Sequence, residues 1–125
     1  MRKLFSAAPV LKPNAVASIV CTWNNTFVCV SDMHGNVKTK ASAGTAGFKG
    51  AKRSTTNAAQ AAGFAAGKAA LEKGLNVARV TVKGPFKGRA YAIKGLTTAG
   101  LKVSALQDLT PIHTNGTRAR KARRL

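Results

Sequence analysis

The sequence predicts an α/β domain: one mixed five-stranded sheet with two helices packed on it, preceded by a basic arm and followed by a basic tail. Three observations carry this. Short runs rich in Val, Ile, Thr and Phe are bounded by Asn, Asp and Gly, as strands are bounded by turns. Two other stretches have helix-favouring composition and end at a glycine. The order is three strands, helix, strand, helix, strand, a pattern that closes into a single sheet with helices laid on it.

The elements follow along the chain. Residues 1–14 form the arm, with Arg2, Lys3 and Lys12, no acid, and Pro9 and Pro13 to discourage regular structure. The same composition suits either a mitochondrial presequence or an RNA-binding arm. Residues 15–109 form the domain. Ala15 to Thr22 and Thr26 to Ser31 make a hairpin, expected to turn at Asn24 and Asn25, which tolerate left-handed backbone. If Asn24 and Asn25 are the centre of the hairpin turn, Cys21 lies opposite Val28 and Cys29 opposite Val20. Side chains alternate between faces along a strand, so the two sulfurs then lie on opposite sides and cannot form a disulfide.

Asp32-Met33-His34-Gly35 has Asp first and Gly fourth, as a type I turn prefers, and leads to a third strand, Val37 to Ser42. Gly44 to Ser54 reads as a mobile basic loop. Thr55 is the expected N-cap of a helix from Thr56 to Lys73, with Gly74 at its C-terminal end. Val77 to Lys83 alternates as a strand, Lys83 to Gly88 is a second Gly and Pro loop, Arg89 to Ala99 is a shorter helix stopped by Gly100, and Lys102 to Asp108 is the last strand. The tail, residues 110–125, carries Arg118, Arg120, Lys121, Arg123 and Arg124 without an acid, and such a segment is expected to order only against a partner.

Charge narrows the function. The chain of 125 residues has 21 Lys and Arg against Asp32, Glu72 and Asp108, for a formal net charge of +18. A folded chain so charged repels itself and favours a polyanion. Nucleic acid fits; a membrane fits poorly, because no stretch approaches the roughly 20 apolar residues of a spanning helix. Three acids dispersed in a turn, a helix end and a strand end do not make a catalytic pair. His34, His113, Cys21 and Cys29 lack the spacing of a metal site, and no cofactor or small-molecule substrate is expected. A P-loop would need Gly-Lys followed by Ser or Thr, whereas Gly50 is followed by Ala51 and then Lys52, Arg53 and Ser54.

The two loops suit a polynucleotide, because each places cations just before a helix N-terminus, where the dipole favours an anion. Trp23 at the hairpin tip can stack on an unpaired base beside the amides of Asn24 and Asn25, or be buried in the core; the sequence leaves both open. The expected RNA contacts are Trp23, Asn24 and Asn25; Lys49, Lys52, Arg53, Ser54 and Thr55; Lys83, Lys87 and Arg89; and His113, Asn115, Arg118, Arg120, Lys121, Arg123 and Arg124. Asn115 precedes Gly116, so it is also a candidate for rearrangement to isoaspartate, the alternative being a plain turn.

The ordered set Trp23-Asn24-Asn25-Thr26, Asp32-Met33-His34-Gly35-Asn36, Gly47-Phe48-Lys49-Gly50, Lys52-Arg53-Ser54-Thr55, Val82-Lys83-Gly84-Pro85, Gly88-Arg89, Asp108-Leu109-Thr110-Pro111-Ile112 and Asn115-Gly116 resembles the small-subunit ribosomal protein eleven family, in sequence and spacing, from Ala15 almost to the end. The resemblance implies a structural, non-enzymatic role on the platform of the small ribosomal subunit. It also implies ribosomal RNA and neighbouring platform proteins as partners, with the tail near the messenger RNA exit path. The chain departs from bacterial members at Pro111-Ile112-His113-Thr114-Asn115-Gly116-Thr117-Arg118, which lacks their prolines and displaces the histidine, and at Gly84-Pro85-Phe86-Lys87-Gly88-Arg89. With the arm, these departures favour a mitochondrial ribosome over a bacterial or chloroplast one. The contrasting expectation from charge alone is a histone-like, DNA-compacting protein.

Overall fold

The computed structural model describes residues 12–85 and 87–125, so most of the expected arm lies outside the described residues. The elements are β1 (Ala15–Cys21), β2 (Thr26–Asp32), β3 (Val37–Ser42), a short 3-10 helix (Gly50–Ser54), α1 (Thr56–Glu72), β4 (Val77–Lys83), α2 (Gly88–Ala99) and β5 (Lys102–Asp108). The sheet order is β3-β2-β1-β4-β5. The β1–β2 and β2–β3 pairs are antiparallel, whereas β4 is parallel to both β1 and β5, giving the mixed five-stranded sheet the sequence predicts.

Three local expectations need correction. The hairpin pairs Cys21 with Thr26, and Ser18 with Cys29, two residues away from the expected register. Thr22 and Asn25 close the turn, the Thr22 amide donating to the Asn25 carbonyl at 2.9 Å, so the turn centres on Trp23 and Asn24. Neither asparagine adopts a positive φ, which Asn115 alone does among described non-glycine residues. A two-residue slip preserves strand alternation, so Cys21 and Cys29 still face opposite sides, and both are free thiols. Finally, the second half of the loop expected between Gly44 and Ser54 is wound into the 3-10 helix.

The other boundaries follow their local chemistry. The Asp32 carboxylate accepts from the amides of His34 and Asn36, both at 2.9 Å, and Gly35 closes the turn with φ 92°. Thr55 caps α1 by accepting the Ala58 amide at 3.3 Å. Gly74, at φ 84°, takes the left-handed step after α1, and Gly100 does the same after α2. Asn14, the last residue of the expected arm, ties the start of β1 to β4: its amide donates to the Val77 carbonyl and its side chain accepts the Val77 amide.

Both helices cover one face of the sheet. Ala15, Ala17, Ile19, Val28, Val30, Ala78 and Val80 alternate toward that face and form a single core with Ala62, Ala66 and Ala70 of α1 and Ala92 and Leu96 of α2. The small residues of α1 let the helices touch backbone to backbone. A Cβ on Gly63 would stand 2.2 Å from the Ala92 carbonyl oxygen, and one on Gly95 would stand 2.3 Å from that of Gln60. Gly63→Ala is therefore expected to push α2 off α1 and destabilise the fold by roughly 1 to 3 kcal/mol. Gly44→Ala, whose new methyl would meet the Arg53 side chain no closer than 3.6 Å, should change stability little. Urea unfolding of the two variants checks this; equal stability would show that the helix contact tolerates a methyl.

Candidate nucleic-acid interface

The pairing directions bring the predicted basic segments to one end of the sheet. β1, β3, β4 and β5 all finish there, and β2 begins there. The hairpin tip with Trp23, Asn24 and Asn25, the 44–54 loop, the 84–87 loop and the root of the tail therefore rim the same end. The N-termini of α1 and α2 stand beside them, because each helix follows one of these loops. Asp32 and Glu72 close β2 and α1 at the far end, which leaves Asp108 as the carboxylate at the basic end among the described residues.

Trp23 is 68% exposed, which decides for an accessible indole over a buried one. In the first loop Lys49 and Lys52 are exposed, at the start and middle of the 3-10 helix, while Arg53 is half-buried and donates to the Gly50 carbonyl. Ser54 and Thr55 spend their hydroxyl protons inside this turn, on the carbonyls of Ala51 and Lys52, both at 2.7 Å. Thr55 also occupies one first-turn amide of α1, so the loop meets an anion chiefly through its lysines. At α2, by contrast, the N-cap Lys87 makes no side-chain cap hydrogen bond, and no side chain among the described residues takes the first-turn amides.

Gly84 fixes the second loop against the hairpin. Its φ is 113°, and a Cβ there would overlap the Cys21 carbonyl. Its amide donates to Thr110 Oγ1 at 3.2 Å. Arg89 donates through Nη1 to Asp108 Oδ2 at 2.8 Å and to the Gly84 carbonyl at 3.4 Å, and Asp108 Oδ1 accepts the amide and hydroxyl of Thr110. Arg89, expected from sequence as an RNA contact, is thus engaged in bracing the root of the tail. A cavity of about 420 Å³ opens between this brace, Pro85 and Ile112. Asp108 and Thr110 are site residues the sequence reading missed as such; they sit nineteen and more positions from Arg89, beyond any local pattern.

Two carboxylates titrate low for reasons visible in this geometry. The Thr110 hydroxyl and amide hold Asp108 below the usual carboxylate range, with Arg89 adding to the effect. The Asn36 and His34 amides do the same for Asp32. Burial pushes the Cys21 thiol up. Beyond Thr110 the chain has no helix or strand; His113, Asn115, Arg118, Arg120, Lys121, Arg123 and Arg124 are all exposed. Asn115 (φ 63°) and Gly116 (φ 47°) form a left-handed bend, with the Gly116 amide 2.7 Å from the Thr114 carbonyl. No His, Cys, Asp or Glu cluster that could hold a metal ion occurs among the described residues, and no described helix is long and apolar enough to cross a membrane.

Fold and charge together define a basic α/β protein that gathers the hairpin tip, two basic loops and the root of its tail at one end of a mixed sheet. Residues 15–124 match the family model for ribosomal protein S11. The chain belongs to the ribosomal protein S11 family, whose role is that of a structural constituent of the small ribosomal subunit, and its place is the ribosome.

The lowered pKa of Asp108 has a direct consequence. A carboxyl with a depressed folded-state pKa stabilises the fold above its unfolded value, about 3.9, and loses that contribution as pH falls through the folded value. Asp108→Asn should therefore lower the melting temperature slightly at pH 7, and the deficit should shrink below about pH 4 as wild-type Asp108 protonates. The effect is small because the Arg89 pair is exposed. Thermal unfolding as a function of pH checks it; a deficit that stays constant into strong acid would show that the carboxylate charge is not what matters.

Proposed function

We propose that this chain binds and stabilises small-subunit ribosomal RNA in the platform, near the messenger RNA exit path and in contact with neighbouring platform proteins. The observation that carries the reading is the convergence at one end of the sheet. The hairpin tip, two glycine-bearing basic loops and the root of a tail with five Lys and Arg after Gly116 meet there, and Arg89 is paired with the one carboxylate present. A surface of this kind follows a phosphate backbone by charge and shape, and Trp23 adds a ring on which an unpaired base can stack. Lys49, Lys52, Lys83 and Lys87 supply phosphate contacts, and Asn24 and Asn25 reach base or sugar edges. Arg89 and Asp108 hold the domain end of the tail, from which His113, Asn115, Arg118, Arg120, Lys121, Arg123 and Arg124 extend along the RNA. The role is binding, with no turnover. The departures at 84–89 and 111–118 from the bacterial pattern support a mitochondrial ribosome.

Each neutralised phosphate releases condensed counterions and contributes about 0.7 to 0.9 to the slope of log affinity against log salt. Replacing Lys49, Lys52 and Arg53 together by Ala should flatten the slope for small-subunit RNA by about two units. Filter binding across a salt series reads this, and an unchanged slope would place the first loop away from RNA.

A further inference from the structure

The face of the sheet opposite the helices meets the basic end at Lys83, and the register fixes what else it presents. Pairing across β3, β2, β1 and β4 sets Ser42, Phe27, Val20 and Lys83 in one row. Lys40 and Arg79 lie on the same face in the two rows beyond, opposite Cys29 and Val16. Phe27 is 45% exposed, and all three cations are exposed. Asp32 and Asp108 pair with Ala15 and Val82, which are buried under the helices, and Glu72 belongs to α1, so none of the three carboxylates stands on the open face.

Beside Phe27 the surface dips into a cleft of about 350 Å³, bounded by Cys29, Lys40 and Ala41 and, on its rim, Ser42 and Thr45. The Ser42 and Thr45 hydroxyls are committed to each other and to the turn: Thr45 Oγ1 accepts the Ser42 amide at 2.8 Å and donates to the Ser42 carbonyl at 3.0 Å. The cleft therefore offers an aromatic ring and a cation but few free groups to read a base edge. Adjacent strands lie about 4.8 Å apart, so the strands bearing Lys40 and Lys83 run roughly 5 and 10 Å to either side of the strand bearing Phe27.

A ring flanked by cations, on a face without carboxylates, suits an occupant that is both flat and anionic along its length. Single-stranded RNA is such an occupant: bases stack on exposed aromatics with little regard to identity, while basic groups follow the backbone. An acidic protein surface would answer the cations, but it would not use the ring and cleft in this combination. We propose that the helix-free face of the sheet is a second RNA-binding surface. It takes an unpaired nucleotide stacked on Phe27, with the flanking phosphates against Lys40 and Lys83, and it reads shape more than sequence. This rests on the RNA-binding reading above and extends it from Lys83, which the two surfaces share, across the open face of the sheet.

The test compares the full chain with Phe27→Leu, which keeps apolar bulk but loses the ring, and with Phe27→Tyr, which keeps the ring. Lys40→Gln is made in parallel, at an exposed position where folding is not at stake, and thermal unfolding confirms that each variant is folded. Binding to an oligouridylate probe is measured across a salt series. Phe27→Leu is expected to weaken binding about five-fold or more without changing the salt slope, as loss of one stacked base does. Phe27→Tyr should bind as the unaltered chain does, and Lys40→Gln should flatten the slope by about 0.7. Unchanged affinity in Phe27→Leu, or equal losses in Leu and Tyr, would overturn the proposal. So would a Phe27→Leu chain that binds RNA normally yet is not taken up into the small subunit, since that result assigns the face to a protein. The triple substitution in the first loop separates the two readings. If it flattens the slope while Phe27→Leu is silent, this proposal falls and the RNA-binding function stands; if neither responds, both fall.

Discussion

The contact of α1 with α2 through bare backbone, at Gly63 and Gly95, is the constraint on which the rest of the molecule depends. Five strands about 4.8 Å apart make a sheet roughly 20 Å wide, and two helices each about 10 Å across can share one face of it only if they pack closely. Alanine and glycine along α1 permit that approach. The core they enclose, built around Ile19, Val28, Val30, Val80, Leu96 and Leu101, is buried to nearly complete exclusion of water. Because a single layer of helices suffices, the other face of the sheet and the loops at its ends remain outside the core.

That division decides where the charge goes. A net charge of +18 cannot enter an apolar core, and the described cations occupy the loops, the tail, the open face of the sheet and the outer sides of the helices. Two of the three carboxylates are bound to local structural tasks: Asp32 gathers the turn between β2 and β3, and Asp108 braces the tail through Arg89 and Thr110. Neither softens the field around the hairpin tip and the first loop. The fold thus concentrates repulsion at one end and leaves its relief to a polyanionic partner, the role proposed here for RNA.

Much of this was legible in the sequence, because the signals were local. Strand limits, the Thr55 cap and the glycines at the helix ends each follow from a few adjacent residues. What failed was relational. Adjacent asparagines suit a left-handed turn and so point to a register two residues off, whereas Thr22 and Asn25 close the turn through backbone pairing and place Trp23 and Asn24 at its centre. Phe27 was hidden in a run, Thr26 to Val30, that is apolar at both parities, so its face could not be assigned without the neighbouring strands. Arg89 has charge enough to suggest RNA, but its partner Asp108 arrives across a helix and a strand. The tail remains legible only by composition, since nothing after Thr110 forms a helix or strand.

Whether the basic end of this sheet holds the chain to small-subunit RNA is decided by sedimentation of the tagged full chain from a cell or organelle extract. The chain is expected to travel with the small ribosomal subunit, to stay there through DNase treatment, and to be released by ribonuclease or by high salt. A chain that instead follows the nucleoid and is released by DNase would rule out this RNA-binding role and assign its charge to DNA.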